Sequence, residues 1–164
     1  MMKKKPWQRY LVASLIVSSL VSGWLLAQKK SPLKPGVQIV PATVRPGEKA
    51  ELKVTLNLSS GMHINSYKPE DEFAIATELK VGEVPGLVLE LPRYPSGKKH
   101  TYSYAPEGLT VYEGYVAIVL PLQVKKETKP GRYSIKGQLK WQPCDANVCY
   151  PPEKADIVAL IHVK

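Results

Sequence analysis

Residues 50–58 read AELKVTLNL. Apolar Ala50, Leu52, Val54, Leu56 and Leu58 alternate with Glu51, Lys53, Thr55 and Asn57, and a period of two places the first set on one face of a strand and the second on the other. One face is buried and one is wet. Residues 133–141 repeat the pattern, with Tyr133, Ile135, Leu139 and Trp141 inward and Ser134, Lys136, Gln138 and Lys140 outward. Further strands are expected at 37–40, 62–65, 77–81, 87–91, 111–124 and 156–163. Turn formers stand between them: Arg45-Pro46-Gly47, Ser59-Ser60-Gly61, Val84-Pro85-Gly86, Tyr94-Pro95-Ser96-Gly97 and Lys129-Pro130-Gly131. Nothing in this region sustains the i, i+3, i+4, i+7 spacing of a helix. About eight short strands at this spacing predict an all-β fold, an immunoglobulin-like antiparallel β-sandwich.

The 164 residues, 44% hydrophobic and 23% charged, hold enough apolar surface for a core, which excludes a disordered chain. They leave no room for a multidomain enzyme. Four of the 23 basic residues and none of the 14 acidic ones precede residue 29, so most of the remaining excess is thin. Lys53, Lys80, Lys136 and Lys140 are spread between strand residues instead of forming a stripe, which reads as a solvated surface; no nucleic acid is expected as a partner.

The N-terminus differs from the rest. Lys3, Lys4, Lys5 and Arg9 precede a charge-free run over residues 10–28, which Lys29 and Lys30 close. The run reaches the roughly 17 to 25 residues that span a bilayer and exceeds the roughly 7 to 15 of a signal-peptide apolar region. Trp7 and Trp24 lie near its ends, as interfacial aromatics do. Residues 1–28 are therefore read as a signal anchor or signal peptide, 29–36 as a tether, and 37–164 as the folded domain. Basic residues before the span put the N-terminus in the cytoplasm and the domain outside it.

The two cysteines lie in Trp141-Gln142-Pro143-Cys144-Asp145-Ala146-Asn147-Val148-Cys149-Tyr150-Pro151-Pro152. They flank a four-residue turn rich in turn formers and are expected to face each other across a hairpin or a tight strand end, within reach of a disulfide. Outside the cytoplasm such a pair can close. Closing a loop of about six residues stabilises by only about 2 kcal/mol, against about 4.7 for a loop of 100. A local bond near a loop suits attack by a partner's thiolate, but the spacing equally admits a structural bridge and leaves a metal site open. Zinc would need two more ligands, and the histidines are His63, His100 and His162. Copper(I) would want thioethers, and Met62 is the sole methionine after the first two residues. No phosphate loop, G-x-S-x-G, H-E-x-x-H or C-x-x-C is present.

The string from Trp141 to Glu153 resembles the redox segment of the N-terminal periplasmic domain of the thiol:disulfide interchange protein DsbD, in which Y-Q-x-C is followed shortly by C-Y-P-P-E. Gly61-Met62-His63-Ile64-Asn65, Leu91-Pro92 with Tyr94-Pro95, and Thr110-Val111-Tyr112-Glu113-Gly114 resemble other pieces of that family in the same order. The resemblance implies an immunoglobulin-like domain at the periplasmic face of the bacterial inner membrane, passing reducing equivalents without a cofactor or metal. A thioredoxin-like or membrane thiol-reductase donor would open the Cys144–Cys149 bond. Cys149 would then attack the disulfide of a client protein, and Cys144 would resolve the mixed disulfide. The family shields its cysteines with a cap loop, which by position would be residues 96–108, with Tyr102 or Tyr104 as cover.

Three departures limit the transfer. Four residues separate the cysteines here, where the best-known members have five. The family's cap contains Asp-Glu-Phe, whereas Asp71-Glu72-Phe73 stands directly after the early strand and reads as a coincidence, because matching it would misplace every later strand. The chain also carries no multi-span thiol domain or thioredoxin-like domain, so separate donor and client proteins are expected. Around the site, Pro143, Pro151 and Pro152 withhold backbone donors and stiffen the loop. Asp145 reads as the start of the turn, Tyr150 as part of the family string, and Trp141 as core. His63 reads as a partly exposed strand histidine or as a group that influences thiol ionisation. Two further readings remain: a non-catalytic interaction module with a structural loop disulfide, and a metal or haem delivery protein.

Overall fold

A computed structural model describes residues 33–164, all β-strand, turn and loop with no helix among them. No helix among the described residues is long and apolar enough to cross a membrane. The expected anchor at 1–28 lies outside the described residues.

The strand that opened the reading is β3 (Lys49–Asn57), with Ala50, Leu52, Val54 and Leu56 all buried. It lies between β1 (Gly36–Val40) and β9 (Tyr115–Val124), and β6 (Leu87–Leu89) closes this first sheet in the order β1-β3-β9-β6. The second sheet runs β2-β12-β10-β5: β2 (Thr43–Val44), β12 (Glu153–Val163), β10 (Gly131–Trp141) and β5 (Glu78–Val81). Inward residues of the two sheets, among them Leu52, Val54, Ile118 and Leu122 against Leu139, Ile157 and Ile161, form the main core. Trp141 closes it, 1% exposed, as read from the sequence. Burial of this kind contributes roughly 1.5–3 kcal/mol for each large side chain.

A third sheet carries the chemistry. Its order is β11-β4-β8-β7, from β11 (Pro143–Cys144), β4 (His63–Asn65), β8 (Ala105–Glu113) and β7 (Lys98–Tyr102). Two expectations are corrected here. The strand expected over 111–124 is two strands, because Gly114 takes a positive φ of 61° and the chain leaves the third sheet for the first. The left-handed conformation suits glycine. The cap loop expected over 96–108 is largely a hairpin: β7 pairs with β8 through Lys98↔Val111, Lys99↔Thr110 and His100↔Leu109, with a register shift before Tyr102↔Ala105. A small second cluster of Ala105, Leu109 and Val111, joined by Ala74, Tyr102 and Tyr104, supports it. The strand expected at 87–91 ends at Leu89, and β2 was not expected.

Candidate functional site

Cys144 ends β11, and the chain turns back so that Cys149 bridges to it as an antiparallel partner. Backbone hydrogen bonds from Asp145 N–H to the Val148 carbonyl (2.9 Å) and from Tyr150 N–H to the Pro143 carbonyl (2.8 Å) frame the turn. Asp145 starts it as expected: Oδ1 accepts from the N–H groups of Asn147 (2.8 Å) and Val148 (3.0 Å). Its Oδ2 accepts from the Tyr150 hydroxyl at 2.6 Å, and that bond is the main reason the Tyr150 pKa lies above its usual value. The Cys144–Cys149 disulfide is formed, with Cα atoms 4.0 Å apart. Cys144 is fully buried, whereas Cys149 is half-buried. The two cysteines are thus unequal in burial. Pro143 is half-buried and Pro151 exposed, one on each side of the pair.

His63 is not the partly exposed strand histidine of one sequence reading; it is 3% exposed. Its strand neighbour across β11 is Cys144 and across β8 is Glu113. The ring stacks on Tyr102 at 4.3 Å between centroids, and Tyr102 stacks on Tyr104 at 5.2 Å. His63 Nε2 and the Tyr104 hydroxyl are 2.7 Å apart, and the same hydroxyl lies 3.3 Å from the Asp145 carbonyl, to which it donates. Tyr102 and Tyr104 therefore both lie against His63, from the end of β7 and the turn after it. Burial holds the His63 imidazole below its usual 6.5; Glu113 and then Asp145 oppose that shift, while His100 adds to it. Burial, aided by Tyr102 and Asp145, pushes the Tyr104 hydroxyl up to about 12. Both rings stay neutral at pH 7.

Several contributors were missed in the sequence. Asn65 Nδ2 donates to the Ile75 carbonyl (3.0 Å) and to Gln142 Oε1 (3.2 Å), and Gln142 Nε2 donates to the Tyr150 carbonyl (3.1 Å). This relay ties the cysteine loop to the segment after β4. The same segment is pinned to β8 by Glu70, whose carboxylate accepts from the Thr110 N–H (2.8 Å) and hydroxyl (2.5 Å). Asp71 and Phe73, set aside as a coincidental match, line a depression of about 150 Å³ with Asn65, Tyr104, Gln142 and Cys149. Phe73 is 85% exposed at that rim. The fold thus brings the tripeptide beside Cys149, a neighbourhood that its place in the chain did not reveal. A larger depression of about 990 Å³ lies at the edges of β5 and β6 and contains neither cysteine nor histidine. Among the described residues no cluster of His, Cys, Asp and Glu is placed to hold a metal ion.

An immunoglobulin-like sandwich bearing a local disulfide, with Cys144 buried and Cys149 half-buried, defines a class of small β-domain built around a cysteine pair. A model of the family described as "Thiol:disulfide interchange protein DsbD, N-terminal" matches residues 29–160. The chain belongs to that family. Among solved structures it is similar to the N-terminal periplasmic domain of ScsB from Proteus mirabilis, with 17% identity over 85% of this chain and 49% of that one and a TM-score of 0.51. Two Neisseria meningitidis structures give TM-scores of 0.49: the DsbD N-terminal domain in its reduced form (19% identity, 79% of this chain and 89% of that one) and the complex of DsbD and PilB N-terminal domains (21%, 82% and 86%). No curated protein sequence matches the chain.

Proposed function

We propose that this protein exchanges disulfides with partner oxidoreductases through Cys144 and Cys149, outside the cytoplasm at the periplasmic face of the inner membrane. Residues 1–28 anchor it there, residues 29–36 act as a tether, and the domain from residue 37 does the chemistry. Family membership supports the reading. The observation that carries it is the unequal burial of the two cysteines, Cys144 buried and Cys149 half-buried. A thioredoxin-like or membrane thiol-reductase donor reaches Cys149, opens the bond and leaves the domain as a dithiol. Cys149 thiolate then attacks a client disulfide, and Cys144 displaces the reduced client. His63, Tyr102, Tyr104, Asp145, Tyr150, Pro143 and Pro151 shape the approach to the pair. No cofactor or metal enters this scheme.

The reduction potential tests it, measured on the chain by equilibration with glutathione buffers and trapping of free thiols. A value between about −270 and −120 mV is expected, the range of working thiol oxidoreductases. A value below about −300 mV would instead make the bond a structural staple and the protein an interaction module.

A further inference from the structure

We propose that His63 is the proton partner of Cys144, taking the thiol proton when Cys144 closes the disulfide and returning it when the bond opens. This rests on the exchange reading above and adds a role that the cysteines alone do not supply.

The third sheet places Cys144, His63 and Glu113 opposite one another on β11, β4 and β8, in that order. Directly opposed strand residues share a face, with Cβ atoms about 4.5–5.5 Å apart. Nucleophile, imidazole and carboxylate thus form one cross-strand row. Cys149 can release its proton to water, because it is half-exposed, but Cys144 is fully buried. A thiol sealed in that way is harder to ionise, and only the thiolate attacks. The proton needs an acceptor beside it. Tyr104 and Tyr102 hold the His63 ring in place by one hydrogen bond and one stack. The charged and titratable groups facing that ring are Glu113 from β8, His100 and Tyr102 from β7, Tyr104 from the hairpin turn and Asp145 from the cysteine loop. Glu113 and Asp145 favour an imidazolium, whereas burial and His100 oppose it. A new thiolate at Cys144 adds a third negative neighbour and tips that balance towards the charged ring.

The steps balance without an outside oxidant. Cys149 thiolate attacks the client disulfide, forming a Cys149–client bond as the client S–S bond breaks and one client thiolate leaves. Cys144 passes its proton to His63 and attacks Cys149 Sγ, forming the internal disulfide as the second client thiolate leaves. His63 then gives up its proton to that thiolate or to water. Two electrons and two protons move from the domain to the client.

The test uses the reduced full chain and the aromatic disulfide dithiobis(nitrobenzoate), whose leaving thiolate is coloured. The first release reports attack by Cys149 and the second reports closure by Cys144. In His63→Gln the second phase should slow, relative to the first, by on the order of tenfold to a hundredfold near neutral pH, with the deficit shrinking as pH rises. Glu113→Gln, which leaves the imidazole in place, should move the pH inflection of the second phase downward. An unchanged second phase in a folded His63→Gln, or an unmoved inflection in Glu113→Gln, overturns the proposal. If the unaltered chain releases no second thiolate at any pH, the exchange reading itself falls, and this inference with it.

Discussion

His63 shows how one side chain can be read correctly in type and wrongly in setting. Its strand is only three residues long, too short for a period-two pattern to reveal what covers it. The cover comes from Tyr102 and Tyr104, some forty residues away, so burial was not legible locally. Asp145 was legible, because an Asx side chain accepting backbone N–H groups two and three residues on is a purely local device. The buried ring has a consequence for stability. Its pKa is held below 6.5 in the folded domain, so between that lowered value and 6.5 the unfolded chain binds more protons than the folded one. Stability therefore rises with pH across this window and is lost as pH falls through it. Urea melts of the oxidised chain at a series of pH values should show that slope, and His63→Gln should flatten it.

At the scale of elements, the strands of the sandwich were legible and the hairpin was not, for one physical reason. β3 and β10 bury one face against a large core and so alternate cleanly. Residues 98–102 read Lys-Lys-His-Thr-Tyr and cover only a small cluster, which leaves a polar sequence that resembles a loop. The split of residues 111–124 was hidden because Gly114 turns the chain without interrupting the apolar run on either side. Whether the hairpin covers the disulfide is testable. Tyr104→Ala removes the bonds to His63 and to the Asp145 carbonyl while leaving the sandwich untouched. Reduction of the Cys144–Cys149 bond by dithiothreitol should accelerate by about tenfold, and the denaturant midpoint should fall by no more than the equivalent of about 1–2 kcal/mol.

Across the whole molecule, two cores of unequal size divide the labour. The larger is shared by both sheets of the sandwich, and the smaller lies under the hairpin beside the disulfide. Local opening follows buried apolar contact, so the two regions should differ in their protection. In hydrogen exchange the central amides of β3, β9, β10 and β12 should report global unfolding, while those of β7 and residues 105–109 exchange sooner. Equal protection in both would mean that the cover opens only when the domain unfolds. The hairpin is also fastened unevenly. Its base is fixed where β8 turns into β9 at Gly114 and where Glu70 grips Thr110, and its far end is the turn carrying Tyr104. It is mechanically a latched arm, rooted in the sandwich and held at the tip through Tyr104. Freeing that tip breaks two side-chain hydrogen bonds and the ring stack, together about 3 kcal/mol. That latch is then open in on the order of one molecule in a hundred at any instant, which leaves a docked partner little work to do in moving the hairpin aside.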